Sequence, residues 1–103
     1  MGNLGNPYMP IHPGELVKDE LESRGISQRA FALKFSISYP MLNEILNGKR
    51  PVSTDFALLL EAALGVSAGL LVRMQTSYNL QVAGQNKGLM TRLREIRKMA
   101  AVF

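Results

Sequence analysis

Ser27-Gln28-Arg29-Ala30-Phe31-Ala32-Leu33-Lys34-Phe35-Ser36-Ile37-Ser38-Tyr39-Pro40-Met41-Leu42-Asn43-Glu44-Ile45-Leu46-Asn47-Gly48-Lys49 is the stretch that decides the fold. Ser27 is a good N-cap, and a helix from Gln28 to about Phe35 places Phe31, Ala32 and Phe35 on one side. Ser36-Ile37-Ser38 interrupts it. Ser38 then caps a second helix, in whose first turn Pro40 is tolerated because no backbone N–H is needed there. Leu42, Ile45 and Leu46 form its buried stripe, and Asn47-Gly48 ends it. Small Ala32 allows close approach of the two helices, while Phe31, Ile37, Leu42 and Ile45 fill the wedge between them. Two short helices joined by a tight turn and followed by a basic loop are the arrangement of a helix-turn-helix, in which the second helix is presented to the major groove.

Reading outward, Met1 to His12 is rich in Gly, Pro and Asn and reads as an irregular arm. Pro13 suits a first helical position and Glu15 a first turn, so a helix runs from Pro13 to about Arg24 and closes at Gly25, burying Leu16, Val17 and Leu21. His12 reads as a helix-start residue, because no Cys, second His or Ser–Asp arrangement is available to work with it. On the other side, Lys49-Arg50-Pro51-Val52-Ser53 is a basic loop leading to an N-cap at Thr54, with Asp55 favourably placed against the helix dipole. The fourth helix buries Phe56, Leu59, Leu60 and Ala63 and closes at Gly65. Ser67 caps a fifth helix with Leu70, Leu71, Met74 and Tyr78 on one face, running to about Val82. After the punctuation of Gly84 to Gly88, Leu89, Leu93, Ile96, Ala100 and Phe103 recur at near-heptad spacing in a last helix. No segment alternates like a strand. The expected fold is all-α: an irregular arm over 1–12, a five-helix domain over 13–84 and a basic amphipathic helix within 85–103.

Composition excludes much of the remaining chemistry. The 103 residues suit one small domain, and the absence of Cys removes disulfides, thiolate nucleophiles and Cys-based zinc sites together. A single His removes His-pair metal motifs. No nucleophile–base pair or metal cluster can be assembled, so neither an enzyme nor a cofactor is expected. No apolar run approaches the length of a membrane span and no targeting signal opens the chain, so the expected location is the cytoplasm, with no membrane partner. The net charge of +4 resides wholly in residues 87–103; residues 1–86 hold seven bases and seven acids. Within that neutral part, Glu15 to Glu22 is acidic and Arg24 to Arg50 is basic, a local asymmetry that fits an anionic partner.

Position alone suggests roles in the second helix of the pair. Tyr39, Pro40, Met41, Asn43 and Glu44 lie at its start or on its exposed side, within reach of base edges. Asn pairs bidentately with adenine, Glu accepts from cytosine N4, and Tyr39 and Pro40 suit a thymine methyl. Gln28, Arg29, Ser38, Asn47, Lys49 and Arg50 flank them and would hold phosphates, aided by two helix N-termini. Asp19, Glu20 and Glu22 have no metal-ligand spacing and read as a solvent face, the alternative being an acidic helix that meets a basic partner.

The run from Ser27 to Lys49 resembles the phage-repressor-like (Cro/C1, or Xre) helix-turn-helix family, in which Ser/Thr-Gln opens the first helix and Asn-Gly-Lys ends the second. Ser36 departs from it, standing where the family usually has glycine. A wider set, His12-Pro13-Gly14-Glu15, Gly25-Ile26-Ser27-Gln28, Asn43 to Arg50 and Ala63-Leu64-Gly65-Val66-Ser67, is similar to HigA-type antitoxins of bacterial toxin–antitoxin modules. Leu70-Leu71 stands where that family often has an aromatic residue, and the tail after Gly84 matches no family pattern. The resemblance implies a lambda-repressor-like fold, a homodimer on double-stranded operator DNA, repression of its own operon, and neutralisation of a HigB-type, RelE-like mRNA-cleaving toxin. Without the toxin, the same residues imply a stand-alone repressor. The basic tail fits a helix that folds back or pairs in a dimer, a toxin-binding helix, or a membrane- or RNA-contacting helix, the last being the weakest for lack of an anchoring Trp.

Overall fold

Side-chain caps punctuate the chain. The computed structural model describes residues 10–103, in which six helices succeed one another: α1 (Pro13–Ser23), α2 (Gln28–Lys34), α3 (Tyr39–Leu46), α4 (Thr54–Leu64), α5 (Ala68–Gly84) and α6 (Lys87–Ala100). Among the described residues there is no strand. Most of the arm expected over 1–12 lies outside the described residues. Ser27, Ser38 and Ser67 cap α2, α3 and α5 as expected, each hydroxyl accepting from the backbone N–H three residues on at 3.1–3.3 Å. Gly25 and Gly65, expected to close α1 and α4, sit at φ 67° and 76°, left-handed values that any Cβ would make costly.

Three local expectations are corrected. The cap of α4 is Ser53, extended at φ −73° and ψ 163°, and its hydroxyl accepts from Phe56 N at 3.1 Å; Thr54 is already helical. Gly88 lies inside α6, because Asn86 supplies the cap by accepting from Leu89 N at 2.9 Å. The buried face of α5 is Ala68, Leu71 and Gln75, while Leu70 is 39% exposed. Leu70 and Leu71 are adjacent and only one can face the core. The capped entrance of α5 selects Leu71, three residues after Ala68 and four before Gln75.

The core is continuous across five helices. Val17 and Leu21 of α1, Leu42 and Leu46 of α3, Leu60 of α4 and Leu71 of α5 are almost wholly excluded from solvent. Full burial of such a side chain is worth ~1.5–3 kcal/mol. α3 lies between α1 and α2, and α5 packs on both α4 and α1. One contact sets the depth of α1 on α3. A Cβ on Gly14 would fall on the carbonyl oxygen of Ile45, so glycine is what lets the first turn of α1 rest on the last turn of α3. At the α4–α5 turn, Arg24 donates to the Leu64 carbonyl at 2.6 Å, and Glu61 accepts from Ala68 N at 2.9 Å.

Ser36, in the turn between α2 and α3, adopts φ 55°, alone among the described non-glycine residues in the left-handed region. That conformation is why glycine suits the position, and a Cβ there costs ~1 kcal/mol. α6 contrasts with the rest. It contacts α5, buries no residue, and leaves Leu89, Ile96 and Met99 exposed. The molecule is correspondingly long, 57 × 29 × 23 Å, with a radius of gyration of 17.2 Å. A spherical domain of this size has ~13 Å.

Candidate nucleic-acid interface

The sequence-predicted residues lie on α2, the turn, α3 and its Asn47 cap, with Lys49 and Arg50 in the loop that follows. The two serine caps leave the N-terminal N–H groups of α2 and α3 at the surface, and Ser38 and Pro40 are exposed there. Seven of the eleven candidate side chains are brought together in three groups, and Ser38, Pro40, Met41 and Lys49 join none of them.

In the first, Asn43 Nδ2 donates to Gln28 Oε1 at 3.1 Å, joining the exposed face of α3 to the first residue of α2. Asn47 Nδ2 donates to Asn43 Oδ1 at 3.2 Å, and Lys18 of α1 donates to Asn47 Oδ1 at 3.3 Å. In the second group, the Arg29 guanidinium lies over the Tyr39 ring, 4.4 Å from its centroid, so a cation and an aromatic edge are presented as one surface. In the third, Arg50 pairs with Glu44 at 2.8 Å, both side chains being about half exposed. This pairing offsets the repulsion that a lone Glu44 would exert on phosphate and occupies part of the Arg50 fork. Lys49 is exposed, and its backbone N–H donates to the Glu44 carbonyl at 2.8 Å. Met41 is half-buried against the core, so only part of it faces outward.

Two polar residues hold this surface from behind. His12 is 3% exposed; its Nδ1 accepts from Gly14 N at 2.9 Å, capping α1, and its ring meets Tyr78 of α5 edge-on at 4.9 Å. Gly48 packs on the same imidazole, so the ring joins α1, α5 and the end of α3. Burial lowers the His12 pKa below its ordinary value of 6.5, outweighing the opposing charge of Glu15 and a hydrogen bond to the Arg50 backbone. A neutral ring is what the cap needs, since a protonated Nδ1 would confront the Gly14 N–H. Gln75 is 7% exposed: its Oε1 accepts from Val52 N at 2.8 Å and its Nε2 donates to Asn79 at 3.0 Å, which fixes the basic loop on α5.

Sequence reasoning found the cap at His12 but missed its junction with Tyr78 and Gly48. It missed Lys18 and Gln75 altogether. A signal existed for Gln75, a polar residue in register with Ala68 and Leu71 on the inner face of α5. Lys18 had none, being a base within an acidic stretch whose partner is 29 residues away.

Among the described residues, no group of three potential ligands could hold a metal and no helix is long and apolar enough to cross a membrane. Comparison with known proteins matches residues 17–71 to the helix-turn-helix family. Virulence-associated protein I of Dichelobacter nodosus is 39% identical over 85 residues, covering 81% of this chain and 79% of that one. The structure of Pseudomonas aeruginosa antitoxin HigA with the higBA promoter superimposes with a TM-score of 0.68 at 37% identity, over 73% of this chain and 83% of that one. A HigA-family addiction module antidote protein from Coxiella burnetii gives 0.68 at 30% identity, over 86% and 92%. The chain is a member of the Cro/C1-type helix-turn-helix family, with HigA-type antitoxins as its structural neighbours.

Proposed function

We propose that this chain is a cytoplasmic antitoxin that binds operator DNA as a homodimer, represses its own operon and neutralises a HigB-type, RelE-like mRNA-cleaving toxin. The observation that carries the reading is the coincidence of the solvent-facing side of α3, flanked by the exposed Arg29, Lys49 and Arg50, with a fold shared with an antitoxin determined on its promoter. In this reading Tyr39, Pro40, Met41, Asn43 and Glu44 meet base edges, and Gln28, Arg29, Ser38, Asn47, Lys49 and Arg50 meet phosphates or orient the residues that do. The activity is binding, with no catalytic step. The domain spans 13–84, and 85–103 is an appended helix.

A two-fold dimer reads half-sites ~34–36 Å apart, so the operator is a near-palindrome. The test has two arms. Co-expression with the neighbouring small open reading frame, followed by light scattering, is expected to yield a heteromeric complex, with growth arrest when the neighbour is expressed alone. Titration of the chain's own promoter over a salt series is expected to give a log–log slope of roughly −0.9 per neutralised phosphate. DNA binding without complex or toxicity would reduce the reading to a stand-alone repressor. Loss of both would reject it.

A further inference from the structure

The hydrogen-bonded row Lys18–Asn47–Asn43–Gln28 spans α1, α3 and α2 at 3.3, 3.2 and 3.1 Å. It has a direction. An ammonium donates three hydrogen bonds and accepts none, so the group facing Lys18 must be an oxygen. Asn47 therefore turns Oδ1 to Lys18 and Nδ2 to Asn43. Asn43 in turn receives that bond on Oδ1 and passes Nδ2 to Gln28 Oε1. The last amide accepts on Oε1, which leaves its Nε2 with no hydrogen-bond partner among the described residues on a side chain that is partly exposed. A side-chain amide on its own can rotate and present either oxygen or nitrogen; a row anchored on a cation cannot.

We infer that Lys18 is a positioning residue, which acts through Asn47 and Asn43 to hold the Gln28 amide as an outward hydrogen-bond donor toward an acceptor on DNA. This rests on the DNA-binding reading. The acceptor is a base-edge atom (guanine O6 or N7, thymine O4) or a phosphate oxygen. Replacing Lys18 by an acceptor inverts the row. In Lys18→Glu, Asn47 presents Nδ2 to the carboxylate, each following amide turns over, and Gln28 Oε1 faces outward.

The experiment is a double-mutant cycle on the full chain. Affinity for a panel of duplexes, each varied at one base pair of the half-site, is measured for wild type, Lys18→Arg, Lys18→Met and Lys18→Glu, each with Gln28 and with Gln28→Ala. Arginine, also donor-only, is expected to retain the wild-type pattern. Lys18→Met is expected to cost ~2- to 10-fold, the scale of one hydrogen bond, beyond the loss it causes in the Gln28→Ala background. Lys18→Glu is expected to cost more, again only while Gln28 is present. If the acceptor is a base, Lys18→Glu moves the preference at one base pair toward a donor such as adenine N6 or cytosine N4; if it is a phosphate, every duplex loses equally. Equal costs in both Gln28 backgrounds would overturn the proposal and leave Lys18 as a charge acting on its own.

Side-chain amide spectra of the DNA-free protein provide a second readout. Asn43 and Asn47 signals are expected to move in Lys18→Met and Lys18→Glu and to stay in place in Lys18→Arg; signals unmoved in all three would overturn the row. If wild type binds no duplex, the DNA reading falls by itself, and these spectra still decide whether Lys18 orients the amides.

Discussion

Residues 13–84 and residues 87–103 carry helical apolar stripes of similar spacing, but their surroundings are unlike. In α1 to α5 the buried residues meet in one core, where Val17, Leu42, Leu60 and Leu71 end with no solvent exposure, although Phe35 and Leu70 stay 38% and 39% exposed. In α6 the stripe of Leu89, Leu93, Ile96 and Ala100 ends with none of its members buried. Periodicity states that a helix has an apolar side; it does not state what covers it. The two regions also differ in polar ties. The compact part is fastened by buried groups such as His12 and Gln75, whereas the side chains of α6 make an Arg92–Glu95 pair at 3.7 Å and an Arg94–Thr91 bond, both exposed and worth little.

The contrast is broken or sharpened most strongly by paired truncations. Leu60→Ala is expected to cost ~3 kcal/mol in urea denaturation, through lost burial and a cavity. Ile96→Ala is expected to stay within ~0.5 kcal/mol at low micromolar concentration. A large, concentration-dependent cost at Ile96 would mean that the α6 stripe is covered in solution and would end the distinction. Next in size, Gln75→Leu leaves the Val52 N–H buried without an acceptor and is expected to cost ~2 kcal/mol at an unchanged denaturant slope. No change in the urea midpoint would show that the loop is held by something else.

The buried imidazole gives the compact region a pH response that α6, with no histidine, does not share. Because the folded-state pKa of His12 lies below 6.5, the unfolded chain takes up the proton first. The stabilisation is therefore complete above pH 6.5 and is lost as pH falls through that value toward the folded-state pKa. Thermal melts are expected to drop over that interval. His12→Asn, which keeps an acceptor for Gly14 N and does not titrate, is expected to flatten the curve; an equal drop in the variant would assign the response to carboxylates. The smallest effect is at the turn. Ser36→Gly relieves the left-handed strain but loosens the unfolded chain, for a net gain of ~0.5 kcal/mol read as a small rise in melting temperature.

What was legible in the sequence was what the chain does within a few residues of itself. Ser27, Ser38 and Ser67 cap helices because a hydroxyl reaches the N–H three residues on, and the closing glycines follow from one dihedral. Ser53 replaced Thr54 as a cap because two hydroxyl residues adjoin and only the phase of α4 decides between them. The candidate surface was legible as a set of residue types, since α3 and the following loop are local. Its wiring was not. The Gln28–Asn43, Lys18–Asn47 and Val52–Gln75 bonds join residues 15, 29 and 23 positions apart, and no pattern along the chain encodes a distance across it. The pairing of Glu44 with Arg50 lies between these cases, near in sequence yet dependent on how the loop turns back.

One bond ties the position of the basic loop to the rotation of helix α5. Val52 N–H is satisfied by the Gln75 side chain, 23 residues further along the chain and midway through α5. Were α5 to turn about its axis, Gln75 Oε1 would withdraw and Val52 would be left with a buried, unanswered donor, at ~1–3 kcal/mol. Helix rotation and loop placement are therefore a single coordinate, and a force applied to the outer face of α5 is felt at Lys49 and Arg50.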